Sequence, residues 1–176
     1  YERLADLYLT QDRAGDASET FMAFVERYPQ HRSAPLFTVR VIDIYKQAGR
    51  KDDLLRAKAD LVMAYGVGTA FWEKHDKELL TQLLPHLKSN LNDLTAYYHA
   101  QAQKSKKPAD YRVAAHWYRI YVRSFPNDEG TAAKNMLLAE SLLDSGDLQS
   151  AAAEFEYTAY HYPLHAQSAE AAYASL

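Results

Sequence analysis

The chain has 176 residues, of which 48% are hydrophobic and 24% are charged, as in a folded globular protein. The net charge of −3 argues against a nucleic-acid-binding domain, because such domains usually carry a basic excess. The sequence has no cysteine, which excludes disulfides, thiolate zinc sites and cysteine nucleophiles, and no apolar run approaches the ~18 residues of a membrane-spanning helix.

The predicted elements are all helices, because apolar residues recur at helical spacing and no segment alternates with a period of two. In chain order, helices are predicted over 1–12, 16–28, 34–48, 51–65, 76–88, 90–104, 110–125, 130–145, 148–162 and 166–176. Pro85 is expected to interrupt the pattern within the fifth of them. Since Tyr1 and Leu176 both lie inside predicted helices, the chain is expected to be an excised fragment of a longer protein or its mature, processed portion.

Three segments share a skeleton of alanine, aromatic residue and proline. The aromatic residue lies four positions after the alanine, and the proline lies twelve positions after the alanine. The members are Ala17, Phe21 and Pro29; Ala114, Tyr118 and Pro126; and Ala151, Phe155 and Pro163. The alanine and the aromatic residue share one helix face, and the step before proline disfavours helix. Each segment is therefore predicted to be the second helix of a helical hairpin.

The repeat has a period of 37 residues, counted from Ala17 to its equivalent Leu54 and again from Ala114 to Ala151. The gap from Leu54 to Ala114 is 23 residues longer than one period, which places an inserted helical segment at approximately 67–89. In the second repeat, Leu54, Lys58 and Gly66 replace the alanine, the aromatic residue and the proline, and Asp12 stands at the inter-helix position that Gly146 occupies later. No linker divides the chain, so a single domain over 1–176 is predicted.

This skeleton resembles the tetratricopeptide repeat family, and the match is fullest at Ala139, Gly146, Asp147, Ala151, Phe155 and Pro163. The segments 24–29 and 121–126 are similar to repeats of bacterial envelope scaffolds, namely the outer-membrane barrel-assembly lipoprotein and the Tol-Pal-associated repeat protein. The resemblance covers roughly 1–66 and 95–176. It implies an all-α fold in which tetratricopeptide-like hairpins form a right-handed α-solenoid with an inserted helical segment.

The resemblance also implies a function, which is a non-catalytic protein–protein interaction scaffold in the bacterial cell envelope. The expected partner is a peptide or protein, such as an envelope protein, bound in the helical groove, and no nucleic acid is expected. The expected location is the periplasm or the periplasmic face of the outer membrane, with a cytoplasmic location left open. The alternative is a regulatory or substrate-presenting module of a larger enzyme or secretion system.

Adjacent aromatic residues supply the candidate binding residues. Neighbours on a helix point about 100° apart, so one member of Tyr97-Tyr98 or Trp117-Tyr118 can pack while the other faces a groove. Burial between helices is the rival interpretation for each pair, and Phe71-Trp72 in the insertion is a second candidate. The residues predicted to bind a partner are Tyr97, Trp117, Tyr121, Phe71 and Trp72.

Catalytic and metal-binding patterns are not evident in the sequence. His161 and His165 are four residues apart, but Pro163 between them breaks a shared helix face, and no HExxH spacing exists. Acidic pairs such as Asp52-Asp53 open predicted helices, where negative charge favours the helix dipole. No catalytic residue, metal site or cofactor is therefore predicted. An enzyme on a helical toroid or solenoid is a remaining alternative that needs converging carboxylates or histidines in one cavity.

Overall fold

A computed structural model of the chain describes residues 1–162 and 167–175. These residues form ten helices and no strand, which confirms the predicted all-α fold class. Pro163, His165 and the ends of the last predicted helix at 166 and 176 lie outside the described residues. The helices are α1 (Glu2–Thr10), α2 (Ala14–Arg27), α3 (Ala34–Gln47), α4 (Lys51–Tyr65), α5 (Ala70–Lys74), α6 (Lys77–Ser105), α7 (Pro108–Ser124), α8 (Thr131–Asp144), α9 (Leu148–Tyr160) and α10 (Ser168–Ala174).

The chain divides into two compact units, unit 1 at 1–90 and unit 2 at 91–176. In unit 1, each helix from α1 to α4 packs against the next, and α5 packs against α4. In unit 2, each helix from α7 to α10 packs against the next. The boundary at Asn90 and Leu91 falls inside α6 rather than in a loop. Among the described residues, no helix combines the length and the hydrophobicity needed to cross a membrane.

Helix α6 corrects the prediction that Pro85 interrupts the chain there. Pro85 lies inside α6, and the two helices predicted over 76–88 and 90–104 are one. A proline removes one backbone hydrogen bond, but Leu79, Leu83 and Leu87 form a fully buried stripe on both sides of it, and their burial favours a continuous helix. The predicted insertion at 67–89 contains the short α5, which was not predicted, and the first part of α6.

The alanines and aromatic residues of the skeleton lie in the hydrophobic core, as their position on one helix face predicts. The alanines and aromatic residues of all three segments, Ala17, Phe21, Ala114, Tyr118, Ala151 and Phe155, are at most 3% exposed. In the divergent second repeat, Leu54 is half-buried and Lys58 is buried at the position of the aromatic residue. The repeat therefore keeps its packing geometry where its residue types change.

The loops that follow α2 and α7 have the same geometry 97 residues apart. Tyr28 and Phe125 end the two helices with φ of −132° in both and ψ of 58° and 56°. The carbonyl of Tyr28 accepts the N–H of His31 at 3.0 Å, and that of Phe125 accepts the N–H of Asp128 at 3.2 Å. The side chains of His31 and Asp128 each accept the backbone N–H two residues later, at 3.1 and 3.4 Å. The helix pairs α2–α3 and α7–α8, each joining one hairpin to the next, are thus structural equivalents.

The turns inside the hairpins also repeat, and each contains a residue in the left-handed backbone region. Asp12, Gly49 and Gly146 have φ of 56°, 67° and 85°, so Asp12 does adopt the conformation of the later glycines. Lys106, between α6 and α7, has φ of 55°. Glycine is the usual residue at such helix ends because it has no Cβ to clash with the backbone. The two exceptions carry strain that the glycines avoid.

Unit 1 shows the 37-residue period directly in its side-chain contacts. The guanidinium of Arg13 lies 4.4 Å from the ring centre of Tyr8 and pairs at 2.9 Å with the carboxylate three residues later. Arg50 lies 4.8 Å from the ring centre of Tyr45 and pairs at 2.8 Å with the carboxylate three residues later. The hairpins α1–α2 and α3–α4 are therefore built alike.

Candidate functional site

The five aromatic residues predicted to bind a partner fall into two groups in the structure. Trp117, Tyr121 and Phe71 are 6%, 2% and 0% exposed, so packing between helices, the rival interpretation, accounts for their positions. Tyr97 is 39% exposed and Trp72 is half-buried. A partner can contact only an accessible ring, which leaves Tyr97 and Trp72 as the candidates that present surface.

In unit 1, Phe71 fastens the short α5 to α4. Its ring lies edge-on to Tyr65 at 4.9 Å and stacks on His75 at 3.9 Å between ring centres. The His75 Nδ1 atom is 2.9 Å from the Phe71 carbonyl oxygen, which closes the C-terminal end of α5. The neighbouring Trp72 points elsewhere and keeps part of its ring accessible, so the inserted segment presents one aromatic side chain and buries the other.

In unit 2, Tyr97 lies at the rim of a groove between α6 and α7, called the Tyr97 groove here. Its ring lies edge-on to Tyr98 at 5.2 Å, and Tyr98 stacks on the buried Trp117 at 5.9 Å with the two planes 14° apart. The groove has a volume of about 240 Å³ and is lined by Tyr97, Tyr98, Gln101, Asp110 and Val113. The structure therefore joins Tyr97 and Trp117 through Tyr98, which contacts both rings.

Polar groups complete the wall of the Tyr97 groove. The Asp110 carboxylate accepts a hydrogen bond from the Ser105 hydroxyl, which fixes its orientation at the start of α7. Val113 and Gln101 are exposed on facing helices. The groove can therefore take an apolar or aromatic side chain against Tyr97 and Val113, with an amide and a carboxylate available for hydrogen bonds.

A polar cluster in the interior of unit 2 centres on Lys134 of α8. Its Nζ atom lies 5.4 Å from the ring centre of Tyr121 and 5.7 Å from that of Tyr118, and it donates a hydrogen bond to Thr95 Oγ1 at 3.4 Å. Burial lowers the pKa of Lys134 and raises the pKa of Tyr118 to about 12. Ring faces attract the ammonium group, so this cluster holds a cation where hydrophobic side chains usually pack.

His99 borders the same cluster from α6. Its ring lies edge-on to Tyr118 at 5.6 Å, and its Nδ1 atom is buried without a hydrogen-bond partner among the described residues. Burial lowers the pKa of His99; the charge of Asp144 opposes this shift and that of Lys134 adds to it. This cluster was not predicted, because Lys134 and His99 belong to no motif in the sequence.

A second groove in unit 2, between α7, α8 and α9, is basic and is called the arginine groove here. Arg119 is half-buried and Arg123, one turn later, is exposed. Tyr157 is 46% exposed and stacks on His161 at 4.4 Å with the planes 4° apart. The groove has a volume of about 360 Å³ and is lined by Arg119, Val122, Arg123, Pro126, Asn135, Glu154, Tyr157 and Tyr162.

The equivalent groove in unit 1, between α2, α3 and α4, has the opposite charge. It has a volume of about 180 Å³ and is lined by Met22, Glu26, Thr38, Tyr45, Asp53, Arg56, Ala57 and Asp60. Five of its positions correspond to the arginine groove at the offset of 97 residues: Met22 to Arg119, Glu26 to Arg123, Thr38 to Asn135, Ala57 to Glu154 and Asp60 to Tyr157. The equivalent helices α2–α4 and α7–α9 therefore form grooves whose lining residues differ in charge.

Within 1–162 and 167–175, no three histidine or carboxylate side chains come together in a way that could hold a metal ion. No protein-family model matches the chain, and a comparison with curated proteins finds no significant match. The geometry of the grooves and the repeat pattern are therefore the basis for a functional proposal.

Proposed function

We propose that the chain is a non-catalytic protein-interaction scaffold in which tetratricopeptide-like hairpins stack as a right-handed α-solenoid and bind a peptide or partner protein. The observation that carries this proposal is the position of Tyr97, accessible at the rim of a groove and backed by two stacked rings. Exposed aromatic residues in grooves are frequent anchors of protein interfaces.

The support beneath Tyr97 matters for affinity. A side chain that is already held in place loses little conformational entropy when a partner covers it, so more of the burial energy appears as binding. The ring of Tyr98 contacts that of Tyr97 edge-on and itself stacks on the buried Trp117, while Tyr97 remains exposed in the lining of the groove. Truncating such an anchor typically costs about 2 kcal/mol or more, which corresponds to roughly a 30-fold loss of affinity.

Two further features support the scaffold proposal. Hairpins of one design recur at offsets of 37 and 97 residues, and stacked helical hairpins offer grooves as binding surfaces. The resemblance of 24–29 and 121–126 to bacterial envelope scaffolds supports a location in the periplasm or on the periplasmic face of the outer membrane. This part of the proposal depends on the resemblance alone.

Site-specific photo-cross-linking tests the proposal. A photoreactive phenylalanine derivative placed at Tyr97 is expected to capture a defined partner protein in cells, whereas the same group at the exposed Tyr160 of α9 is not. The purified partner is then expected to bind Tyr97→Ala about 30-fold more weakly and Tyr160→Ala with unchanged affinity. Equal affinity of the two variants, or equal capture at both positions, would contradict a binding role for the Tyr97 groove.

A further inference from the structure

The arginine groove presents two guanidinium groups that have no ion-pair partner within 1–162 and 167–175. Neither Arg119 nor Arg123 lies within 4.0 Å of a carboxylate oxygen among the described residues. Four arginines of unit 1, Arg13, Arg40, Arg50 and Arg56, each contact an aspartate within that distance. The guanidinium groups of Arg119 and Arg123 can therefore pair with a ligand without first breaking an ion pair, whereas those of the four arginines in unit 1 cannot.

The acidic side chains identified at this groove are Glu154 in the lining and Asp147, whose carboxylate interacts electrostatically with Arg119. Glu154 is part of the lining, and its backbone carbonyl accepts a hydrogen bond from Asn135 Nδ2 at 3.1 Å. Asp147 caps α9 by accepting the Ser150 N–H at 3.2 Å, and these bonds to Ser150 are the main reason that its pKa is lowered, with a smaller effect of Arg119. The lining thus carries two positive side chains against one negative side chain.

We propose that the arginine groove binds an acidic segment of the partner protein, with Asp or Glu side chains pairing with Arg119 and Arg123. A guanidinium offers two parallel N–H donors to one carboxylate, and such pairs are stronger than neutral hydrogen bonds. The ring of Tyr157, which stacks on His161, offers a surface on which an apolar residue next to the acidic residues of the bound segment can pack. This inference rests on the proposed function because it presupposes a protein partner.

Charge favours an acidic protein segment over the other occupants. Nucleic acid is disfavoured, since the chain as a whole is negative and phosphate binders usually gather more basic side chains. A second copy of the chain could supply carboxylates from the equivalent groove of unit 1, where Glu26, Asp53 and Asp60 outnumber Arg56. The test below separates this case from a different partner.

The equivalent groove supplies variants that the fold already accommodates. Arg119→Met and Arg123→Glu introduce the residues that unit 1 carries at Met22 and Glu26. The matched controls are Arg112→Met and Arg112→Glu, which make the same charge changes at an exposed residue of α7 outside the groove lining. Circular dichroism and thermal melting check that all four variants remain folded.

The probe is a short fluorescent peptide rich in Glu and Leu, compared with one in which every Glu is Lys. We expect the acidic peptide alone to bind, and each groove variant to weaken it about tenfold or more, as for a lost charge-assisted hydrogen bond. The Arg112 variants should bind as the wild type does, and added salt should weaken binding. Equal binding of both peptides, or equal losses in groove and control variants, would overturn the proposal.

Two other outcomes also overturn it. Competition by a single-stranded RNA that depends on Arg119 and Arg123 would assign the groove to nucleic acid. Self-association that Arg123→Glu abolishes would make a second copy the occupant. If the acidic peptide does not bind but cross-linking at Tyr97 still captures a partner, only the inference about the arginine groove is rejected. If the peptide binds but no partner depends on Tyr97, the proposed binding role of Tyr97 is rejected instead.

Discussion

Phe37 and Lys134 occupy equivalent positions in α3 and α8, and they contact equivalent rings. The ring of Phe37 lies 5.0 Å from that of Phe21 and 4.9 Å from that of Phe24. The Nζ atom of Lys134 lies 5.7 and 5.4 Å from the rings of the two tyrosines at the corresponding positions of α7. The contact between α2 and α3 is therefore an aromatic cluster, and the equivalent contact between α7 and α8 is a lysine ammonium group near two tyrosine rings.

Replacing Lys134 by phenylalanine is expected to stabilise unit 2. Burial lowers the pKa of Lys134, which means that its surroundings disfavour the charged form despite the nearby rings. The charged side chain therefore costs stability at neutral pH, and this cost shrinks as the pH rises toward the ordinary lysine pKa and the folded protein releases the proton first. We expect a gain of about 1 kcal/mol in the free energy of unfolding at neutral pH, measured in urea.

The comparison for this variant is Lys104→Phe, which changes an exposed lysine of α6. It should leave the free energy of unfolding nearly unchanged. A loss of stability in Lys134→Phe would show instead that the attraction of the ammonium to the tyrosine rings exceeds the cost of its burial.

The substitution Lys106→Gly is expected to raise stability by up to about 1 kcal/mol. Lys106 has φ of 55°, a conformation that glycine adopts without strain and a lysine does not. Its backbone N–H donates to the Ala102 carbonyl at 2.7 Å, and this bond is retained in the variant. Urea denaturation measures the change. The converse variant Gly146→Ala, at φ of 85°, should lose a similar amount, and equal effects of the same sign would refute the explanation.

The substitution Pro85→Ala is expected to stabilise α6 by about 1–3 kcal/mol. Proline lacks the backbone N–H, so the carbonyl of Thr81, four residues earlier, loses its helical partner, and alanine restores that bond. Pro85 is exposed, and its replacement leaves no cavity. Thermal unfolding followed by circular dichroism is the measurement. A lower melting temperature would indicate that the ring of Pro85 itself makes a required contact.

The stability of the protein is expected to fall between pH 10 and about pH 12. Burial raises the pKa of Tyr65, Tyr118 and Tyr162 to about 12. The unfolded chain loses these protons near pH 10 and the folded chain does not, so the unfolded state binds fewer protons in this window and stability decreases with pH. Below pH 10 the contribution of these tyrosines is fully present.

Tyrosinate absorbance and denaturant unfolding across this range measure the effect. Tyr118→Phe removes one of the three groups and should shift the alkaline unfolding midpoint to higher pH. Tyr173→Phe changes an exposed tyrosine of α10 and should not shift it. Ionisation of all tyrosines in a single step near pH 10 without unfolding would contradict the prediction.

The hairpin frame could be predicted from the sequence because its signals are local. The spacing of Ala17 and Phe21 sets one helix face, and Gly146 marks a turn that requires a left-handed residue. Pro85 was misread for the same reason, since a rule about one residue ignores the buried leucines on either side of it. Burial by other helices outweighs a single missing hydrogen bond, and sequence spacing alone does not report it.

The binding residues were harder to predict. Trp117 and Tyr118 point about 100° apart, yet both are buried. Trp117 contacts Tyr98 of α6, while Tyr118 contacts His99 of α6 and belongs to the core cluster that includes Met136 of α8 and Phe155 of α9. Tyr97, the residue before Tyr98 on α6, keeps 39% of its surface exposed. The basic character of the arginine groove was not predicted, although comparison of the repeats at the 97-residue offset shows arginine at residue 119 where residue 22 is methionine.

The loops after α2 and α7 show that an imidazole and a carboxylate can perform the same capping task. His31 and Asp128 differ in charge and shape, yet both accept the N–H two residues later and leave the backbone path unchanged. Residue identity at these joints is therefore free to diverge while the geometry persists. Relatives of this chain are therefore expected to keep the spacing of left-handed turns and capped loops even where their sequences no longer share residues with it.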